Sequence, residues 1–336
     1  ERARAMGVFS FTAAAGGSIG LLIGGVLTQA LNWHWAFLVN VPIGIATIVV
    51  GQRILTGNRG IGLREGADVF GAISITAALM LGVYAVVAIP NGGTTSMSTI
   101  GSGAIAALLF VAFLIRQATA SKPLVPLRLF ASRNMSGSNA IEALVVAAIF
   151  GFFFLNALYL REVRGYDAVA TGLAFLPITV AIGALSLGWA EALTVRFGAR
   201  PLLVSGLALS AAGMAWFGFV PLGGNYLTAM FVPMLLLGIG MGVAFPPLMI
   251  FAMADTAHED AGVASGVLNT SAEVGGAFGL AILATVSAAG GFQLAFAGAT
   301  LCLVASTAIA AWILQTSQAA SNAQDTKEPQ WSAGPS

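Results

Sequence analysis

The stretch that decides the fold is AAAGGSIGLLIGGVLTQ, residues 13–29, which contains five glycines and no charged side chain. Gly16, Gly20 and Gly24 are spaced by four residues, so they follow one face of a helix with a drift of about 40° per step. Such a helix would be weak in water, because glycine disfavours helices. In lipid the backbone keeps its own hydrogen bonds, and a glycine face lets a second helix approach closely. The stretch therefore predicts a membrane-spanning helix whose glycines form either a static packing face or a contact that opens and closes.

The composition of the whole chain also indicates a lipid environment. Hydrophobic residues make up 58% of the 336 residues and charged residues only 8%, against about 25% in a soluble domain. The charges cluster between long apolar runs, which is typical of a polytopic membrane protein. The net charge of +1 gives no reason to expect a nucleic-acid partner. Cys302 is the only cysteine and the two histidines are far apart in sequence, so neither an internal disulfide nor a metal site is expected.

Long apolar runs define the expected membrane spans. A spanning helix needs about 20 residues, and ten segments of the chain approach or exceed this length. We therefore predict an all-α polytopic membrane protein with ten transmembrane helices. Pro246 and Pro247 predict a kink or break in the eighth helix. The ten segments are roughly 9–30, 36–52, 69–89, 100–115, 136–160, 168–190, 202–220, 227–254, 261–289 and 292–314.

Charge in the loops predicts the orientation of these helices. If successive helices cross the membrane in opposite directions, the loops and ends on one side carry twelve Lys and Arg residues, and those on the other side carry only Arg161 and Arg164. The positive-inside rule makes the first side cytoplasmic, so both ends of this chain are expected in the cytoplasm of a cell membrane. Residues 316–336 are polar and predict a disordered tail. Because the chain begins at Glu1 rather than at methionine, we expect it to be part of a longer protein.

An internal repeat links the two ends of the chain. A shift of 259 positions aligns residues 5–23 with residues 264–282, with nine identities in nineteen positions and no gap. The alignment keeps the glycines in register, and Gly20 falls on Gly279. Both copies are expected to run from the cytoplasm outward. The repeat therefore predicts two similar halves related by an axis along the membrane normal.

Several motifs resemble the major facilitator superfamily, and in particular its fourteen-span drug:proton antiporters. The likeness covers nearly all of residues 2–315. The antiporter motif of the fifth span is matched by Gly16, Gly20, Gly24 and Gly25, with leucine at position 21 where the family carries proline. The other stretches that carry the resemblance are WHWAFLVNVPIG (33–44), PLVPLRLFASRN (123–134), YLREVRGYDAVATGLAFLP (159–177) and AGVASGVLNTSAEVGGAFGLAIL (261–283).

A shorter motif, EALTVRFGARP (191–201), resembles a degenerate copy of a cytoplasmic loop motif of the same family. Its family positions are Arg196, Gly198 and Arg200, which we expect to hold helix ends together rather than to bind substrate.

The resemblance implies that the ten helices are spans five to fourteen and that the first four are absent from this chain. It divides the chain into the last two helices of the N-terminal half (1–55), a cytoplasmic loop with an extra central helix pair (56–120), a C-terminal six-helix half (121–315) and a cytoplasmic tail (316–336).

The function that the resemblance implies is proton-coupled export of small hydrophobic or cationic compounds by alternating access. Its partners would be a small-molecule substrate, protons and the lipid bilayer, with no cofactor and a single subunit. The sequence holds no metal-spaced cluster, nucleophile motif or phosphate-binding loop, so an enzyme is not expected. Two alternatives stay open, namely an exporter dedicated to one endogenous metabolite and a membrane scaffold that does not transport.

Ionisable residues inside membrane spans are costly and indicate ion pathways. Glu273 and Glu142 are the two acidic residues well inside the predicted spans, and both are candidates for proton coupling. Glu273 could instead be a neutral, hydrogen-bonded acid, and Glu142 could pair with Arg133. Asp68 is expected to cap a helix. Candidates for the substrate path, with interhelical hydrogen bonding or lipid contact as the alternative, are Asn139, Phe153, Asn156, Tyr159 and Asn269.

Overall fold

The computed structural model describes Gly20 and residues 23–54, 68–219, 225–257 and 260–314. Helices make up most of this part of the chain, and it contains no strand. In chain order the helices are α1 (Trp33–Leu38), α2 (Asn40–Ile54), α3 (Val69–Gly92), α4 (Met97–Thr119), α5 (Arg133–Glu162), α6 (Ala168–Ala174), α7 (Leu176–Gly188), α8 (Ala190–Phe197), α9 (Ala199–Phe219), α10 (Val232–Met253), α11 (261–290) and α12 (292–312). Residues 23–30 are helical, and short 3-10 and π-helical turns precede α5 and α10 at Leu127–Ala131 and Leu227–Phe231.

The expected all-α membrane architecture is confirmed, with an approximate count of spans. Eight continuous or nearly continuous helical stretches in the described ranges are long and apolar enough to cross a bilayer. The last of them is two helices, because Gly291 has a φ of 83° and interrupts α11 and α12. Nine of the ten predicted spans are therefore helical. Of the first span only Gly20 and residues 23–30 lie within the described part, and they are helical too.

Of the kink or break predicted at Pro246 and Pro247, the break is not found, because α10 continues through both prolines. Proline lacks the N–H that would bond to the carbonyl four residues earlier, which for Pro246 is the carbonyl of Gly242. The hydroxyl of Ser186 on α7 donates to this freed carbonyl at 3.3 Å. A neighbouring helix thus supplies the hydrogen bond that the proline removes, and the helix stays intact in lipid.

The main core lies among α5, α7, α9, α10 and α12. Its largest fully buried side chains include Ile141, Phe152, Leu203 and Met241. Helix α9 packs against α10 with glycines in contact with the facing backbone. A methyl group at Gly206 would lie 2.7 Å from the carbonyl oxygen of Gly240. Small residues therefore set the close helix spacing that packing in lipid favours.

Helices α5 and α11 run in the same direction in close contact. The hydroxyl of Ser271 donates to Asn139 Oδ1 at 2.8 Å, across 132 residues of sequence. The next contacts keep that offset, because a Cβ at Gly275 would overlap Ala143 and a Cβ at Gly279 would overlap Ala147. A constant offset identifies parallel helices, as the alternation of spans requires.

The helix pair α3 and α4 packs on the outside of α11, where Gly82 faces the ring of Phe278. Asp68 caps α3 as predicted, since its Oδ1 accepts the backbone N–H of Gly71 at 3.0 Å. The same carboxylate binds Arg116 Nε at 3.1 Å and Gln117 Nε2 at 2.8 Å on α4. One aspartate therefore fixes the start of α3 to the end of α4.

Candidate functional site

A cavity of about 530 Å³ lies between helical residues 23–30, α5 and the α6–α7 helices. It extends inward from Arg161 in the last turn of α5 to Phe153, which is eight residues or about 12 Å deeper. The cavity therefore joins the N-terminal part of the described chain to the C-terminal bundle. Its lining residues are Gly20, Gly24, Gly25, Thr28, Ala36, Phe153, Ala157, Arg161, Ala168, Thr171, Gly172, Phe175 and Thr179.

One glycine of residues 13–29 makes the contact that bounds this cavity. A methyl group at Gly25 would lie 2.7 Å from the carbonyl oxygen of Ala168 at the start of α6. One turn later, Gln29 Nε2 donates to Asp167 Oδ2 at 3.4 Å. Residues 23–30 thus approach α6 at backbone distance, and any side chain at position 25 would separate the two.

The two copies of the glycine repeat have different surroundings where both are described. Gly20 and Gly24 line the cavity, and a methyl group added at either position would have no neighbour within 4 Å. Gly279, the repeat partner of Gly20, is pressed against Ala147 of α5. The first copy therefore combines an open face with a contact at Gly25, whereas the second copy is a closed packing face. Gly16 lies outside the described residues.

Phe153, which was predicted for a substrate path, forms the deep end of the cavity together with Phe175, which was not. Phe153 lies 5.2 Å from Phe175 and 5.6 Å from Phe152, measured between ring centroids. Phe153 and Phe175 line the cavity, while Phe152 belongs to the core. Such a surface suits the flat apolar face of a ligand.

Glu142 is buried inside the bundle, with only 6% of its surface exposed. Its Oε2 has no hydrogen-bond partner, and neither has the fully buried hydroxyl of Ser138, one turn earlier on α5. The ion pairs found in the described ranges include Asp68–Arg116 and Arg128–Asp260, and none joins Glu142 to Arg133. A buried carboxyl group with an oxygen that lacks a partner is costly and indicates a functional requirement.

An apolar cluster separates Glu142 from the loops at the start of α5. Met135 lies two turns before Glu142 and packs with Leu129, Ala264 and Val267. Because water cannot stabilise a charge across this cluster, exchange of a proton with the end of the bundle where α5 begins would require these side chains to move.

Of the polar candidates on α5, two are occupied within the bundle. Asn139 Nδ2 donates to the carbonyl of Met135 at 2.8 Å, and its Oδ1 accepts from Ser271. Tyr159 is almost fully buried, with its ring edge-on to Phe292 at 5.9 Å. Asn156 is fully buried, and its Oδ1 lacks a partner. Asn139 therefore makes an interhelical hydrogen bond, which was the alternative to a position on the substrate path.

Glu273 and Asn269 lie away from the first cavity. Both are exposed on α11 and line a second cavity of about 610 Å³ against Leu79, Met80 and Val83 of α3. The α5–α11 register puts Glu273 at nearly the same depth as Glu142. The two carboxyl groups therefore lie on different sides of the α5–α11 contact.

The EALTVRFGARP motif lies where α8 ends and α9 begins. Gly198 has a φ of 87° and closes α8 by donating its N–H to the carbonyl of Thr194. Arg200 donates to the carbonyl of Ala311 in the last turn of α12, where helical carbonyls lack partners. Arg196 lies 5.3 Å from the neighbouring Phe197 ring.

Two features were not predicted from the sequence. Asp255, after α10, accepts Ser132 Oγ at 2.6 Å and Asn134 Nδ2 at 3.1 Å, which ties the loop between α10 and α11 to the start of α5. Arg161 and Thr171 were not recognised as cavity residues. Single polar residues at helix ends carry no periodic signal, and only packing brings them together.

Comparison with known proteins identifies the class. The family model of the Major Facilitator Superfamily matches the chain over residues 1–280 and again over residues 185–333. The chain belongs to this superfamily.

Its relatives include drug-resistance and export proteins. The uncharacterized MFS-type transporter EfpA of Mycobacterium tuberculosis is 34% identical over 286 residues, covering 85% of this chain and 53% of the relative. The puromycin resistance protein pur8 of Streptomyces alboniger is 34% identical over 289 residues, covering 85% and 57%. The cephamycin export protein CmcT of Amycolatopsis lactamdurans is 34% identical over 297 residues, covering 86% and 60%. The chain thus spans between half and three fifths of the length of these relatives.

Proposed function

We propose that the protein is a proton-coupled secondary transporter that exports small hydrophobic or cationic compounds across the cell membrane by alternating access. It would work as a single subunit with both ends of the chain in the cytoplasm, and transport rather than catalysis would be its activity. Residues 1–55 would belong to one half and residues 121–315 to the other, with an extra helix pair within residues 56–120 and a cytoplasmic tail at 316–336. The names of relatives that concern puromycin resistance and cephamycin export favour the export of small molecules.

The cavity between residues 23–30 and helices α5–α7 is the observation that carries the proposal. It lies between residues 23–30 and the C-terminal helices, and the internal repeat assigns these two parts of the chain to different halves. Its boundary depends on the backbone contact between Gly25 and Ala168 and on the hydrogen bond from Gln29 to Asp167. Small displacements of residues 23–30 would open or close this boundary, as rocking of the halves around a fixed site requires.

Glu142 is the stronger of the two proton-coupling candidates. A charged carboxylate at this position would have no partner on Oε2, and only access to water would compensate it. Glu142 would therefore hold a proton while enclosed and release it when the bundle opens. Glu273, on the open second cavity, remains the second candidate.

Substrate-stimulated proton movement tests the proposal. The longer protein expected to contain this chain is reconstituted in vesicles that enclose a pH-sensitive dye, and puromycin, lincomycin, a cephamycin and one candidate metabolite are added in turn. We expect several of the compounds to move protons, and Glu142→Gln to abolish this movement. Glu162→Gln, at the exposed end of the same helix, is the matched control and should leave it unchanged.

Each alternative has its own outcome in this assay. Movement with the metabolite alone would indicate a dedicated exporter. No movement with any compound would favour a scaffold and reject the proposed function. Unchanged movement in Glu142→Gln together with loss in Glu273→Gln would transfer the coupling role to Glu273.

A further inference from the structure

The cavity beside residues 23–30 carries a single charge. Arg161 is the only ionisable side chain among the described residues that line it. Asp167 is close by, but its Oδ1 accepts the backbone N–H of Ala170 at 2.7 Å and its Oδ2 accepts from Gln29. These hydrogen bonds do not cancel the charge of the carboxylate, but Asp167 does not line the cavity, so Arg161 is the charged group of the described lining that a bound ligand would meet.

Two of the three threonine hydroxyl groups that line the cavity do not compete for this role. Thr171 donates to the carbonyl of Asp167 at 2.7 Å, and Thr179 donates to the carbonyl of Leu176 at 3.1 Å. Both protons stay within their own helix, so these residues offer a ligand methyl groups and acceptor lone pairs. Arg161 is thus the donor best placed to bind an anionic group, and its planar fork suits a carboxylate.

Orientation of the chain does not account for Arg161. Positive charge is almost confined to the predicted cytoplasmic side, and only Arg161 and Arg164 lie on the other side. The raised pKa of Arg164 arises from its hydrogen bond to Tyr159, so that arginine stabilises the end of α5. Arg161 has the cavity beside it instead.

We propose that this cavity binds amphipathic compounds with a flat apolar body and an acidic group, with the body against Phe153 and Phe175 and the acid on Arg161. The inference rests on the proposed function and replaces the cationic part of its substrate class with acidic amphipathic compounds, because the described lining of the cavity offers a cation to the ligand and no carboxylate. The separation of about 12 Å between Arg161 and Phe153 is measured along the axis of α5, and the long Arg161 side chain can reduce the span that a ligand must cover.

Three naphthalene probes with one apolar body test the charge preference. The chain is placed in nanodiscs of phosphatidylcholine, and naphthalene-2-carboxylate, 2-naphthamide and 2-naphthylmethylammonium are compared by equilibrium dialysis against empty nanodiscs. We expect the carboxylate to bind about tenfold more tightly than the ammonium compound, the ratio typical of one hydrogen bond to a charged group. Phe153→Ala should weaken all three probes by a similar factor.

Variants at two arginines separate binding from helix stabilisation. Arg161→Gln should lower the carboxylate affinity about tenfold and leave the amide affinity unchanged, and Arg161→Lys should retain part of the preference. Arg164 is a second cation close to the end of α5, and it does not line the cavity. Arg164→Gln should therefore leave the charge preference intact. A change in melting temperature alone would reduce Arg161 to a charge at the end of α5 and overturn the inference.

Other outcomes are equally decisive. Tighter binding of the ammonium probe, no binding of any probe, or an unchanged preference in Arg161→Gln would each overturn the inference. Because binding is measured without a proton gradient, charge preference without proton movement would reject the proposed function and keep the site. Proton movement without charge preference would reject the anion-binding site and keep the proposed function.

Discussion

At the scale of single residues, the acidic side chains of this protein do different work because their neighbours differ. Asp68 accepts three hydrogen bonds at the junction of α3 and α4, whereas an oxygen of Glu142 accepts none in the bundle. The backbone N–H of Gly71 is the main cause that lowers the pKa of Asp68, and Gln117 and Arg116 act in the same direction against burial. Asp68 is therefore a structural anion.

Asp68 should make the stability of the α3–α4 pair depend on pH. A carboxyl group whose pKa is lowered on folding stabilises the fold above its unfolded pKa and loses this effect as the pH falls toward the folded value. We expect Asp68→Ala to lower the melting temperature by a few degrees at pH 7 and by less as the pH falls below about 4. Thermal unfolding in nanodiscs across this range measures the difference.

Ser96→Ala is the matched control for this prediction. Ser96 caps α4 through the backbone N–H of Thr99 at 3.2 Å, and it has no charge to titrate. Its effect on melting should be the same at every pH. Equal pH dependence in the two variants would contradict the role given to Asp68.

At the scale of helices, close contacts rather than apolar bulk determine how the elements pack. Gly275 and Gly279 let α11 approach α5, and Gly206 and Gly240 do the same for α9 and α10. Hydrophobic burial separates helices from water but not from lipid, so tight backbone contact and interhelical hydrogen bonds must hold the bundle together.

The contact from Ser186 to Gly242 should matter only because Pro246 is a proline. Ser186→Ala removes the hydroxyl that bonds the freed carbonyl, and we expect a loss of about 0.6 kcal/mol in the free energy of unfolding. In a Pro246→Ala background the restored N–H can bond to Gly242, so the same serine substitution should cost almost nothing. A double-mutant cycle by unfolding in detergent measures this coupling.

Ser205→Ala serves as the control in that cycle, because its hydroxyl bonds only within its own helix, to Leu202 at 3.1 Å. Its effect should be independent of Pro246. A zero coupling energy between Ser186 and Pro246 would show that the intact course of α10 has another cause.

At the scale of the whole molecule, residues 23–30 and the C-terminal bundle meet at one narrow contact. Gly25 touches Ala168, while Gly24 beside it faces the open cavity. In the described ranges α1 and α2 have no buried side chain, so this part of the chain is joined to the bundle by few contacts. A sparse contact at backbone distance suits a boundary that opens.

Gly25→Ala should hold the cavity open. The added methyl group would meet the Ala168 carbonyl oxygen at 2.7 Å and push residues 23–30 away from α6. With Cys302→Ser to remove the one native cysteine, Thr171→Cys reports on access to the cavity. We expect a membrane-impermeant maleimide to label that position several-fold faster in Gly25→Ala.

The neighbouring variant Gly24→Ala is the matched control, because nothing lies within 4 Å of its added methyl group. In Gly24→Ala, the maleimide should label Thr171→Cys at the same rate as in the protein without a glycine substitution. Equal labelling in both variants would mean that the contact at Gly25 does not limit access.

The sequence alone determined that the chain lies in lipid, that it forms helices, and that successive helices cross the membrane in opposite directions. Apolar runs of spanning length between charged loops can satisfy their backbone only as helices in lipid, and this is a local property that needs no knowledge of partners. The parallel direction of α5 and α11 follows from the same alternation. The close approach predicted for the face of Gly16, Gly20 and Gly24 is not found at Gly20 or Gly24, where an added methyl group has no neighbour within 4 Å, and the backbone contact of this segment lies at Gly25 instead.

Tertiary structure alone decided which of these features meet. It enclosed Glu142 but exposed Glu273 at the same depth, and it closed Gly279 while leaving Gly20 open. It also brought Arg161 into one cavity with residues 23–30. These pairings join positions more than a hundred residues apart, and they depend on how whole helix faces fit together, which no local pattern in the chain encodes.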